Sequence, residues 1–96
     1  MDLAALRRQI DRLDRQILEL LNRRAGLALL IGCEKRRQGR PIHDPEREAA
    51  IIAQLLEVNR GPLDEESLTR IYHRLMRELR RLETGAPQEQ KGANLR

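Results

Sequence analysis

The sequence contains almost no aromatic side chains. It has no Phe and no Trp, and Tyr72 is its one tyrosine. Its apolar residues, 40% of the chain, are therefore nearly all Leu, Ile, Val and Ala. This composition favours packed helices, because β-sandwiches and barrels draw on aromatic and β-branched residues. The lack of aromatics also argues against binding of single strands and most RNAs, which depends on base stacking.

Cysteine and histidine are also scarce, which limits metal and redox chemistry. Cys33 is the one cysteine, so the chain can form neither an internal disulfide nor a cysteine-based zinc site. The two histidines, His43 and His73, are 30 residues apart, which is too isolated for a metal centre. Neither a nucleophilic triad nor a Gly-rich phosphate loop can be recognised. We therefore expect no metal and no cofactor.

Long apolar runs are missing as well. No apolar stretch follows Met1, and none elsewhere is long enough to cross a bilayer. We therefore expect neither a secretory signal nor a membrane span, and a soluble cytoplasmic protein. The 96 residues are enough for one small domain, whose limited core favours burial against a partner.

Positive charge is in excess. Lys and Arg number 19 against 15 acidic residues, which gives a net charge of +4, and 17 of the 19 are Arg. A basic balance predicts an anionic partner, either a phosphate backbone or a small carboxylate or phosphate ligand. The predominance of Arg favours bidentate recognition of such groups.

The first third of the chain has the periodicity of a helix. No proline occurs before Pro41, and the pattern predicts a helix over about residues 3–37, ~50 Å long at 1.5 Å per residue. Two shorter helices cannot cover such a length, so we expect this helix to pair with a second copy of itself. Its seam alternates spacings of three and four residues and consists of Leu3, Leu6, Ile10, Leu13, Ile17, Leu20, Arg24, Leu27 and Ile31.

Two shorter helices follow a Gly-Arg-Pro break. Asp44 as N-cap and Pro45 at the first helical position begin the second helix, which extends to about Asn59. Asp64 caps a third helix that Gly85 ends. The resulting pattern of long, short and medium helices predicts an all-α domain over residues 1–84. Residues 85–96 have almost no apolar content, and we expect a disordered tail there.

Three cations interrupt the apolar faces of these helices. Arg24 occupies a seam position, and Lys35, 11 residues later, is rotated from it by only ~20°. Arg47 joins the apolar face of the second helix. One such cation can extend its charged end into water. Three inward cations with no facing acidic row predict an anionic ligand that supplies the counter-charge.

The third helix carries a competing signal for a different class of protein. A basic nucleic-acid-binding dimer could use the arginines that follow helical spacing along it. Such a stripe is more often the solvated face of an amphipathic helix, and the spacing of a helix-turn-helix pair is missing. The stripe consists of Arg70, Arg74, Arg77 and Arg81.

Two further charged residues are not assigned by periodicity. Arg7 is rotated by about 100° from Arg24. By itself it is typical of a solvated arginine, although in a paired dimer it could reach the partner's cations. Glu83, near the end of the third helix, is typical of an exposed C-terminal glutamate.

Several motifs resemble the all-helical chorismate mutases. The most specific one is Lys35, followed by a short Gly-Pro loop and the Asp-Pro-Glu-Arg-Glu of residues 44–48. Weaker matches are Leu6-Arg7, Ile10-Asp11, Leu13-Asp14, Leu20-Leu21 with Arg24, and Ile31-Gly32. The resemblance covers residues 3–84. It implies an intertwined helical homodimer with two sites built from both chains. It also implies an isomerase of aromatic amino acid biosynthesis, in the shikimate pathway, that converts chorismate to prephenate.

The resemblance also implies how the substrate, a dianion, is held. Arg7 would cross from the partner subunit to one carboxylate, and Arg24 would hold the other carboxylate or its neighbour. Arg47 would complete this clamp. Asp44 and Glu48 would orient the ring hydroxyl and the loop.

By the same resemblance, Lys35 and Glu83 would act at the ether oxygen of chorismate. Lys35 would donate a hydrogen bond, and Glu83 occupies the place of a Gln or Glu. A carboxylate cannot donate, so Glu83 would have to be protonated, and activity would fall as pH rises. Burial raises the pKa of such a carboxyl while Lys35 and Arg24 lower it, and the sequence does not decide between them. The chain departs from the family at Leu79, where many members carry Ser.

Three alternatives remain open at this point. An isochorismate–pyruvate lyase shares the fold and the cationic site, although the intact motif of residues 44–48 favours the mutase. The nucleic-acid-binding dimer is the second alternative. The third is a non-catalytic, mutase-like dimer, suggested only by Leu79.

Overall fold

The computed structural model describes residues 1–85 and contains three helices with no strand among them. These are α1 (Leu3–Gln38), α2 (Pro45–Val58) and α3 (Glu65–Glu83). The predicted all-α fold with a long, a short and a medium helix is confirmed, and the ends of the first two helices differ from the prediction by one residue. The predicted disordered tail covers residues 85–96; Gly85 is described and exposed, and residues 86–96 lie outside the described residues. No helix in residues 1–85 has an apolar stretch long enough to span a membrane.

An aspartate caps the N-terminus of each of the three helices. Each accepts a hydrogen bond from a backbone N–H of the first turn, which satisfies a group that has no partner within the helix. The predicted caps Asp44 and Asp64 are confirmed, with oxygen–nitrogen distances of 3.1 Å and 2.7 Å. The bond from the Ser67 N–H lowers the pKa of Asp64. At the other end of α1, Gly39 has a φ of 69°, a left-handed conformation that glycine adopts readily and that ends the helix.

The helix α3 packs against both α1 and α2 and so forms the centre of the chain. The buried apolar core is small, since helices of this length in one chain enclose little volume. It consists of Ala28, Ile52, Leu68, Met76 and Leu79.

The N-terminal half of α1 has no packing partner within the described chain. The six large apolar residues of its predicted seam, from Leu3 to Leu20, are each between 36% and 58% exposed. A continuous apolar face of this kind is uncommon on the surface of a monomer. This face is therefore available for the predicted pairing of α1 with a second copy of the chain.

The backbones of α1 and α3 meet at Gly32. A Cβ placed on this residue would lie 2.7 Å from the backbone oxygen of Glu83 and 3.1 Å from its Cα. Only glycine allows the two helices to come this close. The same carbonyl oxygen of Glu83 accepts a hydrogen bond from Nη1 of Arg36. These contacts fix the last turn of α3 against α1 and place Glu83 beside Lys35.

Candidate functional site

A pocket of about 260 Å³ lies between the three helices. Its apolar wall comes from all three helices and the α1–α2 loop, and includes Ile31, Ile42, Ile51 and Met76. Its ionisable side chains are four cations and three carboxyl groups, a formal charge of +1. The cations are Arg24, Lys35, Arg47 and Arg80, and the acids are Asp44, Glu48 and Glu83.

The two α1 cations predicted to share one face both line this pocket. Arg24 and Lys35 are half-buried, which fits their separation of three helical turns. Nζ of Lys35 donates to the backbone oxygen of Ile42 at 2.9 Å. This bond ties the α1–α2 loop to α1 and leaves the remaining Nζ protons of Lys35 available to a ligand.

The first turn of α2 contributes the motif at residues 44–48. Asp44 is half-buried, and its carboxylate is engaged in capping the helix through the Arg47 N–H. Arg47 lines the pocket together with Ile51 from the same face of α2, but it is exposed and so lies at the pocket rim. No acidic side chain in residues 1–85 forms an ion pair with Arg24, Lys35 or Arg47. Three pocket cations therefore have no ion-pair partner within the described chain.

Glu83 enters the pocket from the last turn of α3 and is half-buried. Burial raises the pKa of its carboxyl, and this outweighs the lowering by Lys35 and Arg24. Glu48 raises it further and Arg80 lowers it. Of the two opposing effects that the sequence left open, burial is thus the larger. Glu83 retains its proton to a higher pH than an exposed glutamate does.

Sequence reasoning missed Arg80. Its Nη1 donates to Oε2 of Glu48, and the two side chains are 27% and 25% exposed. Its spacing could have indicated that it belongs to the pocket. Arg80 follows Met76 by four residues and precedes Glu83 by three, which puts all three on one face of α3.

Arg7 does not line the pocket. It is exposed on α1, 17 residues before Arg24 and thus about 25 Å away along the helix axis. A contribution of Arg7 to this site requires a second chain and stays a prediction.

The basic stripe of α3 is largely neutralised within its own helix. Arg70 pairs with Glu66 at 2.5 Å, while Arg74 and Arg81 both pair with Glu78 at 3.3 Å. Such intrahelical pairs are typical of a solvated helix face, which weakens the nucleic-acid alternative.

The cysteine and the two histidines, Cys33, His43 and His73, form no recognisable catalytic centre. Cys33 is exposed on α1. His43 lies beside the pocket, with Nε2 3.9 Å from Oε1 of Glu48. In the described part of the chain, no group of His, Cys, Asp and Glu side chains is arranged to hold a metal ion.

Comparison with known proteins finds relatives over most of the chain. Residues 6–84 match the sequence profile of the family described as chorismate mutase type II. The bifunctional chorismate mutase/prephenate dehydratase of Aquifex aeolicus is 43% identical over 79 residues, which covers 78% of this chain and 22% of that protein. The protein of the same description from Neisseria gonorrhoeae is 42% identical over 72 residues, which covers 75% of this chain and 19% of that protein.

A solved structure is similar over its whole length. The structure of chorismate mutase (Form II) from Thermus thermophilus superposes with a TM-score of 0.86 at 34% identity, covering 90% of this chain and 98% of that one. By contrast, this chain spans about a fifth of the length of the two bifunctional relatives.

Proposed function

The chain belongs to the chorismate mutase type II family, and on this premise we propose that it rearranges chorismate to prephenate in the pocket between its helices. The observation that carries the proposal is the group of three pocket cations without an acidic partner, Arg24, Lys35 and Arg47. A dianionic substrate supplies the counter-charge that these side chains lack. The reaction is unimolecular and forms no covalent link to the enzyme.

In this proposal, Arg24 and Arg47 hold the carboxylates of the substrate. Arginine presents a planar pair of donors that matches a carboxylate. Arg24 is half-buried and Arg47 lies at the rim, so together they grip the dianion from inside and outside the pocket. Asp44 and Glu48, at the start of α2, orient the ring hydroxyl and the loop.

Lys35 and protonated Glu83 act at the ether oxygen, where negative charge develops as the C–O bond breaks. Donors placed in advance at such an atom stabilise the transition state more than the ground state. The raised pKa of Glu83 supports its role as a donor. Confinement of chorismate in its compact conformer contributes the rest, because a freely rotating substrate seldom adopts it.

We propose further that the active form is a homodimer with two sites, each completed by Arg7 of the partner subunit. The exposed apolar seam of α1 supports this arrangement, since pairing two such seams removes them from water. Arg7 lies on the same helix as Arg24, about 25 Å away. An antiparallel or crossed pairing of two α1 helices is therefore required to bring the partner subunit's Arg7 to the pocket.

The proposal is tested by the loss of chorismate absorbance with purified protein, with isochorismate assayed in parallel. We expect turnover of chorismate and none of isochorismate to pyruvate. Lys35→Ala removes the donor to the ether oxygen, for which we expect a loss of about 100-fold or more in kcat, by analogy with removal of an oxyanion-hole donor. Arg77→Ala, an exposed arginine outside the pocket, is the matched control and should retain full activity. Turnover of isochorismate alone would identify the lyase, and turnover of neither would contradict an enzymatic role.

A further inference from the structure

The ion pair between Arg80 and Glu48 differs from every other Arg–Glu pair in residues 1–85. It joins α2 to α3, whereas the others lie within one helix. Both of its side chains are about three-quarters buried, and both line the pocket. A charge-assisted bond in such a position is stronger than its exposed equivalents and restricts the rotamers of both partners.

The ion pair gives the two carboxylate oxygens of Glu48 different surroundings. Nη1 of Arg80 donates to Oε2, while Oε1 has only the distant Nε2 of His43, at 3.9 Å. Oε1 is therefore the oxygen whose acceptor sites are both free for a hydrogen bond from a ligand. Without Arg80 the carboxylate could rotate, and it would also be free to pair with Lys35 or Arg24 in place of the substrate.

We propose that Arg80 is a positioning residue, which holds Oε2 of Glu48 so that Oε1 is presented to a hydroxyl of the bound substrate. This inference rests on the proposed function for the identity of that substrate. The bond to Arg80 also keeps the Glu48 carboxylate from pairing with Lys35 or Arg24, so that these two cations remain available to the dianionic substrate.

A second effect of Arg80, on the pKa of Glu83, distinguishes a positioning role from a purely structural one. The charged groups facing Glu83 are Lys35 and Arg24 from α1, Glu48 from α2 and Arg80 from α3. Loss of the Arg80 charge removes one of the three cations that lower the pKa of Glu83, while Glu48 still raises it. The loss of activity at high pH therefore moves to a higher pH when Arg80 is neutralised.

The experiment compares Arg80→Gln and Arg80→Lys with Arg77→Gln, which removes the same charge from an exposed site one turn earlier on α3. Steady-state kinetics with chorismate across pH, and thermal unfolding, are measured for each. We expect Arg80→Gln to lower kcat about 10-fold and to move the alkaline decline to higher pH. Arg80→Lys keeps the charge and should leave the midpoint in place, with kcat partly recovered. Arg77→Gln should match the wild type.

Two results would overturn the inference. One is an Arg80→Gln variant with wild-type kcat and pH profile. The other is a loss of kcat that follows the loss of thermal stability with no movement of the pH midpoint, since that is the behaviour of a structural contact.

A measurement that does not depend on turnover tests this inference independently of the proposed function. In protein labelled with carboxyl-¹³C glutamate, Arg80→Gln should move the Glu48 resonance and raise the titration midpoint of Glu83, while Arg77→Gln moves neither. If wild-type protein fails to convert chorismate, the proposed function is wrong, and these resonances still decide whether Arg80 organises the pocket. Unchanged resonances in Arg80→Gln would refute the inference.

Discussion

Replacement of Gly32 by alanine is expected to displace α3 at the point where Glu83 enters the pocket. The new Cβ would lie 2.7 Å from the backbone oxygen of Glu83, whereas ordinary van der Waals contact begins at 3.4 Å. The helices must therefore separate by about 0.7 Å, the difference between these two distances. The atoms that collide belong to the backbone and Cβ of Glu83, so no flexible side chain can absorb the overlap.

The magnitude of the Gly32→Ala effect follows from two opposing contributions to stability. Overpacking of a close contact costs about 1–3 kcal/mol, and the better helix propensity of alanine offsets about 1 kcal/mol of this. We expect a net destabilisation of up to about 2 kcal/mol. Activity should suffer more, because misplacement of a reacting group by about 1 Å can cost about 100-fold in rate. A 10- to 100-fold loss in kcat is the expected result.

Gly26 provides the matched control in the same helix. A Cβ at this position meets nothing within 4 Å in the described chain, so Gly26→Ala should gain about 1 kcal/mol from helix propensity and keep its activity. The measurements are thermal unfolding and initial rates of chorismate disappearance for both variants. Equal stability and equal kcat in the two variants would show that the close approach at Gly32 does not position Glu83.

Two further predictions concern the proton on Glu83 and the sharing of sites between chains. Wild-type activity should fall as pH rises through the raised pKa of Glu83, because the carboxyl then loses the proton it donates. Glu83→Gln should give a flatter pH–rate profile, since an amide donates at every pH; an unaltered profile would remove Glu83 from the mechanism. Arg7→Ala and Lys35→Ala, refolded together in equal amounts, should recover about a quarter of wild-type activity, because half of the dimers are mixed and each of these has one intact site. Activity no higher than that of the separate variants would contradict sites shared between chains.

Features of the fold that depend on neighbours in the chain could be predicted from the sequence. The caps Asp44 and Asp64 act within a single helical turn, and Gly39 ends α1 through its own backbone conformation. The alignment of Arg24 with Lys35 was equally predictable, because an α-helix fixes the angle between two of its residues. Local geometry therefore located the helices and two of the pocket cations.

Features that depend on how the helices pack could not be predicted in the same way. The bond of Arg80 to Glu48 spans 32 residues and exists only because α2 lies against α3. The raised pKa of Glu83 depends on burial and on charges from three helices. The position of Arg47 at the rim was also not evident, since the hydrophobic pattern of α2 alone does not show how much of its face the chain covers.

The unbroken length of α1 constrains how this protein can change in evolution. Its apolar seam and two of its pocket cations lie on one stiff rod, so a single inserted residue would turn everything beyond it by about 100°. An insertion between Leu20 and Arg24 would thus direct either the N-terminal part of the seam or the cations to the wrong side. Steps of seven or eleven residues, about two or three full turns, restore the angle to within about 20°, and these move the parts about 10 or 16 Å farther apart. Insertions and deletions should therefore accumulate in the two loops, while the residue count of α1 stays constant.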